Sequence, residues 1–419
     1  MKTSLRMVFL LLSLGASAQS SLGRLPSETF QQLAELTGSQ PYALSSTSVA
    51  ISGNTLVIGA PEANNGGGAA YVYTAPNGDW ANLALTATLE PSNGNNDDGF
   101  GVSVAVSGDT IVVGGDDSDD LMGAAYVYIS PSGTVYENAE LTTSGSPSGT
   151  FNSVSIDGGV IVAGSQLAQV GNEKELGSAY VYVQPSGGWA NMTQTALLVA
   201  NNASIGCYFG NSVSVSGNSV VVGAPRSGAN GLVQRGRAYV FVEPAEGWSG
   251  TRGQTAELDP SDGTKKAYFG LSVSISGGNV VVGAPQQTIG SNGTQGALYV
   301  YTRPSTGWAK TMTETAELTA VDGKAGSELG YSVAISGATV LAGAPLAHSH
   351  EGVAYVFSEP SGGWQTASGG VAITASDAAP NDGFGNAVWI GGGVLAISAS
   401  GWQGGLGGDG AIYVFGENP

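Results

Sequence analysis

The chain has 419 residues, of which 67 are glycine and 11% are charged, with a formal net charge of −19. Glycine at roughly twice its usual level of about 7% costs a helix about 1 kcal/mol at each interior position, which excludes ordinary helical and α/β architectures. The 42% of hydrophobic residues excludes disorder, no Gly-X-Y period suggests collagen, and the acidic balance excludes nucleic acid as a partner. What remains is dense in Val, Ile, Tyr, Thr and Ser, the composition of an all-β protein with many turns.

Lys2 and Arg6 precede the apolar run Met7 to Leu14, and Ala16-Ser17-Ala18 follows as a small-x-small cleavage site. This pattern predicts a secretory signal peptide over 1–18. A transmembrane anchor would need about 20 apolar residues, and neither this run nor any later one is long enough. Loss of Lys2 and Arg6 makes the mature chain two charges more negative. Residues 19–27 read as a short N-terminal segment and 28–419 as one domain. Within it, Gln32-Leu33-Ala34-Glu35-Leu36 is a strand signal ahead of everything that repeats.

One unit then recurs seven times, beginning at Ser48, Ser103, Ser153, Ser212, Ser272, Ser332 and Ala387. A period of roughly 50 to 60 residues points to a propeller, solenoid or array. The unit from Phe209 to Pro260 shows four strand signals: Ser212 to Val215, the β-branched run Val220 to Val222, Ala238 to Phe241, and Thr255 to Leu258. Ser216-Gly217-Asn218 suits a tight hairpin between the first two, and Pro225 ends the second because proline cannot donate to a ladder. Four antiparallel strands per unit predict an all-β, seven-bladed β-propeller. The last unit stops at its third strand, Ile412 to Phe415, and Gln32 to Leu36 matches the fourth-strand pattern of Thr255 to Leu258. The N-terminal strand is therefore expected to complete the last blade and remove a lone edge.

In a propeller the loops between strands two and three emerge on the same face as the loops between blades. Those are the long, irregular loops here, so that face is the expected binding surface. Blade 2 carries Asp116, Asp117, Asp119 and Asp120 there, with Asp97 and Asp98 in the loop that enters it. Their mutual repulsion invites a cation or a basic partner, which makes them candidate calcium ligands; a solvated acidic loop is the plainer alternative. Asn191, Asn202 and Asn292 begin N-glycosylation sequons, relevant in a eukaryotic host. The single cysteine, Cys207, has no disulfide partner and reads as a small buried hydrophobe beside Tyr208-Phe209.

Blade 4 reverses the sign. Arg226, Arg235 and Arg237 flank its long loop and Lys265-Lys266 follow in the next inter-blade loop, a basic cluster on an acidic body. It is a candidate anchor for carboxylated or sulfated glycans, unless the cations pair with neighbouring acids such as Glu243 or Asp262. Trp80, Trp189, Trp248, Trp308 and Trp364 recur before the fourth strand of five blades; recurrence at one position favours packing over sugar stacking. His348-Ser349-His350-Glu351 in blade 6 is a weak metal candidate with no third distant ligand. Gly405 to Gly410 formally matches a dinucleotide fingerprint, but a strand follows instead of the required helix.

Phe100-Gly101, Phe209-Gly210, Phe269-Gly270 and Phe384-Gly385 precede first strands, and Gly59-Ala60-Pro61, Gly223-Ala224-Pro225, Gly283-Ala284-Pro285 and Gly343-Ala344-Pro345 follow second strands. With these motifs the chain resembles the FG-GAP repeats of the integrin α-subunit propeller and its secreted microbial relatives, over nearly the whole mature length. Ser45-Ser46, Phe151-Asn152 and Leu329-Gly330 depart from the first motif. Gly114-Gly115-Asp116, Gly164-Ser165-Gln166 and Ser398-Ala399-Ser400 depart from the second, so blades 2, 3 and 7 are expected to be looser at that corner. The resemblance implies a seven-bladed propeller and a role in extracellular recognition or adhesion. The integrin calcium loop between first and second strands is not carried over, because Ser52-Gly53-Asn54 and its counterparts are too short to wrap a calcium ion.

The expectation is a secreted, extracellular or cell-surface protein that binds a protein or polysaccharide through its long-loop face, as a monomer, without catalysis and without a required cofactor. A glycan-binding lectin using the tryptophans is one alternative. An extracellular hydrolase or lyase is another, since propellers host both. Against it, both histidines lie at 348 and 350, no Gly-x-Ser-x-Gly elbow is present, and no carboxylate spacing identifies an acid/base pair. A central funnel lined by two carboxylates with shifted pKa values would favour it.

Overall fold

Each first strand alternates serine with Val, Ala or Ile, and in the computed structural model these strands stand side by side around one axis. The described residues are 30–37, 48–93, 99–117, 122–130, 134–144, 150–170, 175–228, 231, 233–401 and 410–417. The first strands are Ser48–Ser52, Ser103–Ser107, Ser153–Asp157, Ser212–Ser216, Ser272–Ser276, Ser332–Ser336 and Phe384–Gly391. Each contacts the next, and the seventh contacts the first, so the ring is closed. Together they line a central cavity of about 560 Å³.

Blade 4 shows the common plan. Ser212–Ser216, Ser219–Ala224, Arg237–Val242 and Ala256–Leu258 pair antiparallel in that order. The first hairpin turns on Gly217-Asn218, with Gly217 at φ 55, as a two-residue loop that follows strand twist requires. The fourth strands of blades 2 to 5 also take a fifth, parallel partner from the following blade: Met192–Thr193, Gly250–Gly253, Thr311–Met312 and Ala367–Gly369. These straps cover outer edges that would otherwise invite pairing with another chain. At two to four residues they are too short to show a period in the sequence.

The last blade is completed as expected. Phe30–Thr37 pairs antiparallel with the third strand Ala411–Glu417, with Ala34 opposite Val414 and Leu36 opposite Ile412. Leu33 and Leu36 then pack on the core shared by Val394 and Val414 of blade 7 and Ile51 and Ile58 of blade 1. The other large cores lie likewise between neighbouring blades; Val162 and Leu198 of blade 3, for example, meet Val222 and Tyr239 of blade 4. A single blade would leave both faces wet, and burying each Val or Leu contributes about 1.5–3 kcal/mol. Blades are therefore stable as a ring and not alone.

The two sequence motifs are halves of one contact. Phe269 lies edge-on to Tyr299 and Tyr301 of its own blade, with ring centroids 5.5 and 6.2 Å away. Gly270 N donates to Gly283 O of the same blade at 3.0 Å. Gly270 O points the other way, accepting from Ser212 Oγ of blade 4 at 3.0 Å and pressing on Gly223, where a Cβ would overlap it. The same approach joins Gly59 to Gly101, Gly164 to Gly210, Gly283 to Gly330 and Gly343 to Gly385.

A second lacing runs along the axis. The free N–H groups of Val154, Val213, Ile275 and Ile335 each donate to a serine hydroxyl of the preceding blade, at 2.9 to 3.1 Å. The hydroxyls thereby satisfy inner edges that have no strand partner.

The expected looseness of blades 2 and 3 is corrected: Gly114 and Gly164 are kept where contact demands glycine, and only the following residues differ. Asn152, in place of the motif glycine, donates to Asn211 O and accepts from Gln166 N. In blade 7, Ser398 Oγ accepts from Ala387 N at 2.8 Å. Among the described residues no helix is long and apolar enough to cross a membrane.

Gly283→Ala places a methyl against the Gly330 carbonyl and is expected to cost about 1–3 kcal/mol or more. Gly293→Ala, which meets nothing within 4 Å, is expected to stay within about 0.5 kcal/mol of the parent. Urea denaturation of both variants measures the difference.

Candidate functional site

Hydrogen bonds place the long loops together on one face. In blade 4 the loop after Ala224 and the following inter-blade loop are joined by Lys266 N to Val233 O at 3.1 Å and Tyr268 N to Gln234 O at 3.3 Å. The preceding inter-blade loop reaches the same sector through Arg226 N to Cys207 O. Cys207 itself is buried, its Sγ donating to Leu176 O, as a small core residue should be.

The five basic residues of this sector divide into two groups. Arg235 is buried; its Nη1 meets Asp259 Oδ1 at 2.6 Å, its Nε donates to Gly263 O at 3.1 Å, and its Nη2 donates to Pro260 O. Arg237 pairs with Glu257, Nε to Oε1 2.8 Å. The acids are Asp259 and Glu257, supplied by the adjacent strand and its exit, and not Glu243 or Asp262. The expectation that Arg235 and Arg237 present charge to a ligand is thus corrected: both guanidinium groups are spent holding their own blade. Arg226, Lys265 and Lys266 remain exposed. The Arg226 guanidinium carbon sits 4.1 Å from the Tyr208 ring centroid, and its Nη1 donates to Tyr208 Oη at 2.8 Å.

Exposed apolar side chains share this face with the cations. The large exposed hydrophobics among the described residues include Leu167, Ile205, Val233, Val321 and Leu346, all in loops of this face. Leu85 and Tyr136 lie instead on outer strands, and Tyr331 borders the central cavity. The concentration of exposed apolar surface on the loop face was invisible in the sequence, where these residues look like any other hydrophobe.

Other candidates fare differently. Asp97, Asp98, Asp119 and Asp120 lie outside the described residues. Asp116 and Asp117 belong to the second strand of blade 2, Thr110–Asp117, and not to its loop as expected. Among the described residues no group of three or more His, Cys, Asp or Glu could hold a metal ion. His348 and His350 are exposed on a turn where both, with Ser349 between them, have positive φ, so the stretch is not the extended spacing that would align two rings. Trp80, Trp189, Trp248, Trp308 and Trp364 are 4 to 9% exposed and sit in the inter-blade cores, which leaves no indole face for a sugar. The central cavity is lined by serine, small apolar and amide side chains with Tyr331 and Trp389, a surface without carboxylates among the described residues.

The sequon residues differ in what their amides already do. Asn202 Nδ2 donates to Glu257 Oε2 and its Oδ1 accepts from Tyr239 Oη. Asn292 Nδ2 donates to Gln295 Oε1 at 2.8 Å. Asn191 is exposed, and its Oδ1 accepts from Glu140 N.

Burial raises the carboxyls of Glu35, Glu317, Glu328 and Asp382, and Glu317 is shifted furthest. Burial first, then the Asp262 and Glu314 carboxylates, push the Glu317 carboxyl up to about 7. Asp262 accepts from Tyr299 Oη at 2.8 Å, and Tyr299 lies opposite Glu317 in the blade 5 ladder.

Removal of Arg235 breaks its buried ion pair with Asp259 and takes the donors from the Pro260 and Gly263 carbonyls, so Arg235→Ala is expected to cost about 3–5 kcal/mol. The exposed Arg226→Ala should cost no more than about 1 kcal/mol; chemical denaturation separates them. For Glu317 the folded state holds the proton more tightly than the unfolded chain. Its contribution to stability is present below the unfolded value near 4.5 and fades as pH rises to about 7. Glu317→Gln is therefore expected to raise the melting temperature at pH 8 and leave it unchanged at pH 4, which calorimetry at both values checks.

Comparison with known proteins supplies a family. The FG-GAP repeat model matches residues 40–73, 84–128, 192–241, 253–301, 312–357 and 370–415. The gap between the second and third matches holds blade 3, whose Phe151-Asn152 and Gly164-Ser165-Gln166 depart from both motifs although its four strands fold like the rest. No curated protein matches the chain. Six repeat matches spread over most of a seven-bladed propeller show that the chain belongs to the FG-GAP repeat family.

Proposed function

We propose that this is a secreted, non-catalytic propeller that recognises an extracellular protein or polysaccharide through its long-loop face, centred on blade 4. The observation that carries the reading is the company of exposed Ile205 and Val233 with the Arg226–Tyr208 stack and with Lys265 and Lys266. Exposed apolar side chains beside exposed cations and an aromatic ring are the usual make-up of a recognition surface. On a chain of net charge −19 a local basic sector also selects an acidic partner and steers its approach.

Secretion rests on Lys2, Arg6, the run Met7 to Leu14 and Ala16-Ser17-Ala18. The non-catalytic reading is supported by the hydroxyl and apolar lining of the central cavity. Recognition by stacked tryptophans loses its support, since those indoles are core residues. Binding needs no metal in this reading.

The test is capture of extracellular proteins and acidic polysaccharides on immobilised mature chain, followed by the triple variant Arg226→Glu, Lys265→Glu, Lys266→Glu. The expected result is at least a tenfold loss of affinity, with a stronger salt dependence for the parent than for the variant. Equal affinity of the two proteins would contradict the reading.

A further inference from the structure

Blade 7 departs from the other six at one level of the central cavity. There blades 1 to 6 present Ala50, Ala105, Ser155, Ser214, Ser274 and Ala334, and blade 7 presents Trp389. Two residues on, the other blades have serine or aspartate and blade 7 has Gly391, where a Cβ would overlap the indole. The two departures belong together, since the missing side chain at 391 makes room for the ring at 389. That ring packs against the cores between blades 7 and 1 and between blades 1 and 2, which fixes it, and it remains partly exposed where it lines the cavity.

A second ring stands in the neighbouring blade. Tyr331, 39% exposed, lines the same cavity at the end where the inter-blade loops deliver the first strands. Along the strands it lies three positions from the level of Trp389, or about 10 Å at the usual rise. The rim of the cavity is thus on the long-loop face, with Tyr331 upon it and Trp389 at depth.

Between the two rings the wall is rich in hydroxyl groups. Ser103, Ser153, Ser155, Ser214 and Ser274 each accept an N–H of the following blade, and each of these hydroxyls still carries a proton of its own. Ser212, Ser272 and Ser332 donate to the carbonyls of Gly270, Gly330 and Gly385 and keep their lone pairs. All of them are partly exposed and line the cavity, and Asn386 adds an amide at the rim. Among the described residues no charged side chain lines it.

We propose that the central cavity binds a neutral saccharide two pyranose units long, entering from the long-loop face with one ring against Tyr331 and the other against Trp389. The volume of about 560 Å³ lies within the roughly 300–1,000 Å³ of small-molecule sites, and the separation of the two aromatic levels matches two linked sugar rings. A pyranose offers apolar C–H faces to aromatic rings and a rim of hydroxyls that both donate and accept, as the serines do. A charged guest would lose its hydration with no counter-charge in the wall to replace it. The site does not draw on the cations of the blade 4 surface and is independent of it.

The experiment is titration of the mature chain with maltose, cellobiose, lactose, mannobiose and diacetylchitobiose, with their monosaccharides, and with digalacturonate as the charged control. Calorimetry reads affinity, and the indole N–H signals in NMR spectra read the site, Trp389→Phe identifying the signal of Trp389. At least one neutral disaccharide is expected to bind at millimolar concentration or below and to shift that signal, with its monosaccharide at least tenfold weaker and digalacturonate without effect. Tyr331→Ala and Trp389→Ala should each lose at least tenfold, while the triple variant Arg226→Glu, Lys265→Glu, Lys266→Glu should bind as the parent does. Because Trp389 also packs on two cores, the exposed Tyr331 variant carries the decision if Trp389→Ala unfolds. Failure of the whole panel at millimolar concentration, a Trp389 signal that stays in place, or full binding by Tyr331→Ala would each overturn the proposal. Equal binding of the monosaccharide would overturn the two-unit assignment, and equal binding of digalacturonate the neutral one.

Discussion

The closest constraint in this molecule is the meeting of two glycines across every blade junction where both are kept. Gly270 N–H satisfies its own second strand while Gly270 O lies on the Cα of Gly223 in the blade before. Backbone cannot approach backbone so closely if either carries a Cβ. That approach sets the distance between neighbouring sheets, and the distance sets which side chains fill the inter-blade cores. Phe269 then fixes orientation by packing edge-on against the aromatic pair of its third strand, an arrangement favoured by ring quadrupoles. Repeated around the axis, one local contact determines both the ring and the cavity inside it.

One glycine is replaced, by Asn152, at the junction between blades 2 and 3; both are replaced at the junction between blades 7 and 1, which is where the separate closure lies. Blade 1 has Ser45-Ser46 in place of the Phe-Gly pair, and blade 7 has Ser398 where the facing glycine would stand. Both halves of the contact are altered at the same junction. The work is taken over by the ladder between Phe30–Thr37 and Ala411–Glu417 and by Leu33 and Leu36 entering the shared core. Chain ends are joined by strand pairing because they cannot be joined covalently.

Most of the architecture was legible because it rests on periodicity and on glycine. Seven recurrences, the two-residue turns and the unmatched strand at Gln32 to Leu36 are properties of a linear string. The partnership between the two motifs was not legible, since it joins residues of neighbouring blades, such as Gly223 and Gly270, that read as separate signatures. The fate of the arginines was equally hidden. Arg226, Arg235 and Arg237 look alike in sequence, yet one carries a tyrosine stack on the surface and two are locked to Asp259 and Glu257. A fixed scaffold with variable loop and edge residues is how repeat proteins acquire distinct surfaces without changing shape.

The account stands or falls on the glycine junction, and hydrogen exchange at single-residue resolution reads it directly. The amides of Gly210, Gly270 and Gly330, each bonded within its blade at 3.0 Å and shielded by the neighbouring one, are predicted to exchange only through global opening of the ring. Exchange at the rate of the surrounding loops would contradict the claim that these contacts hold the blades together.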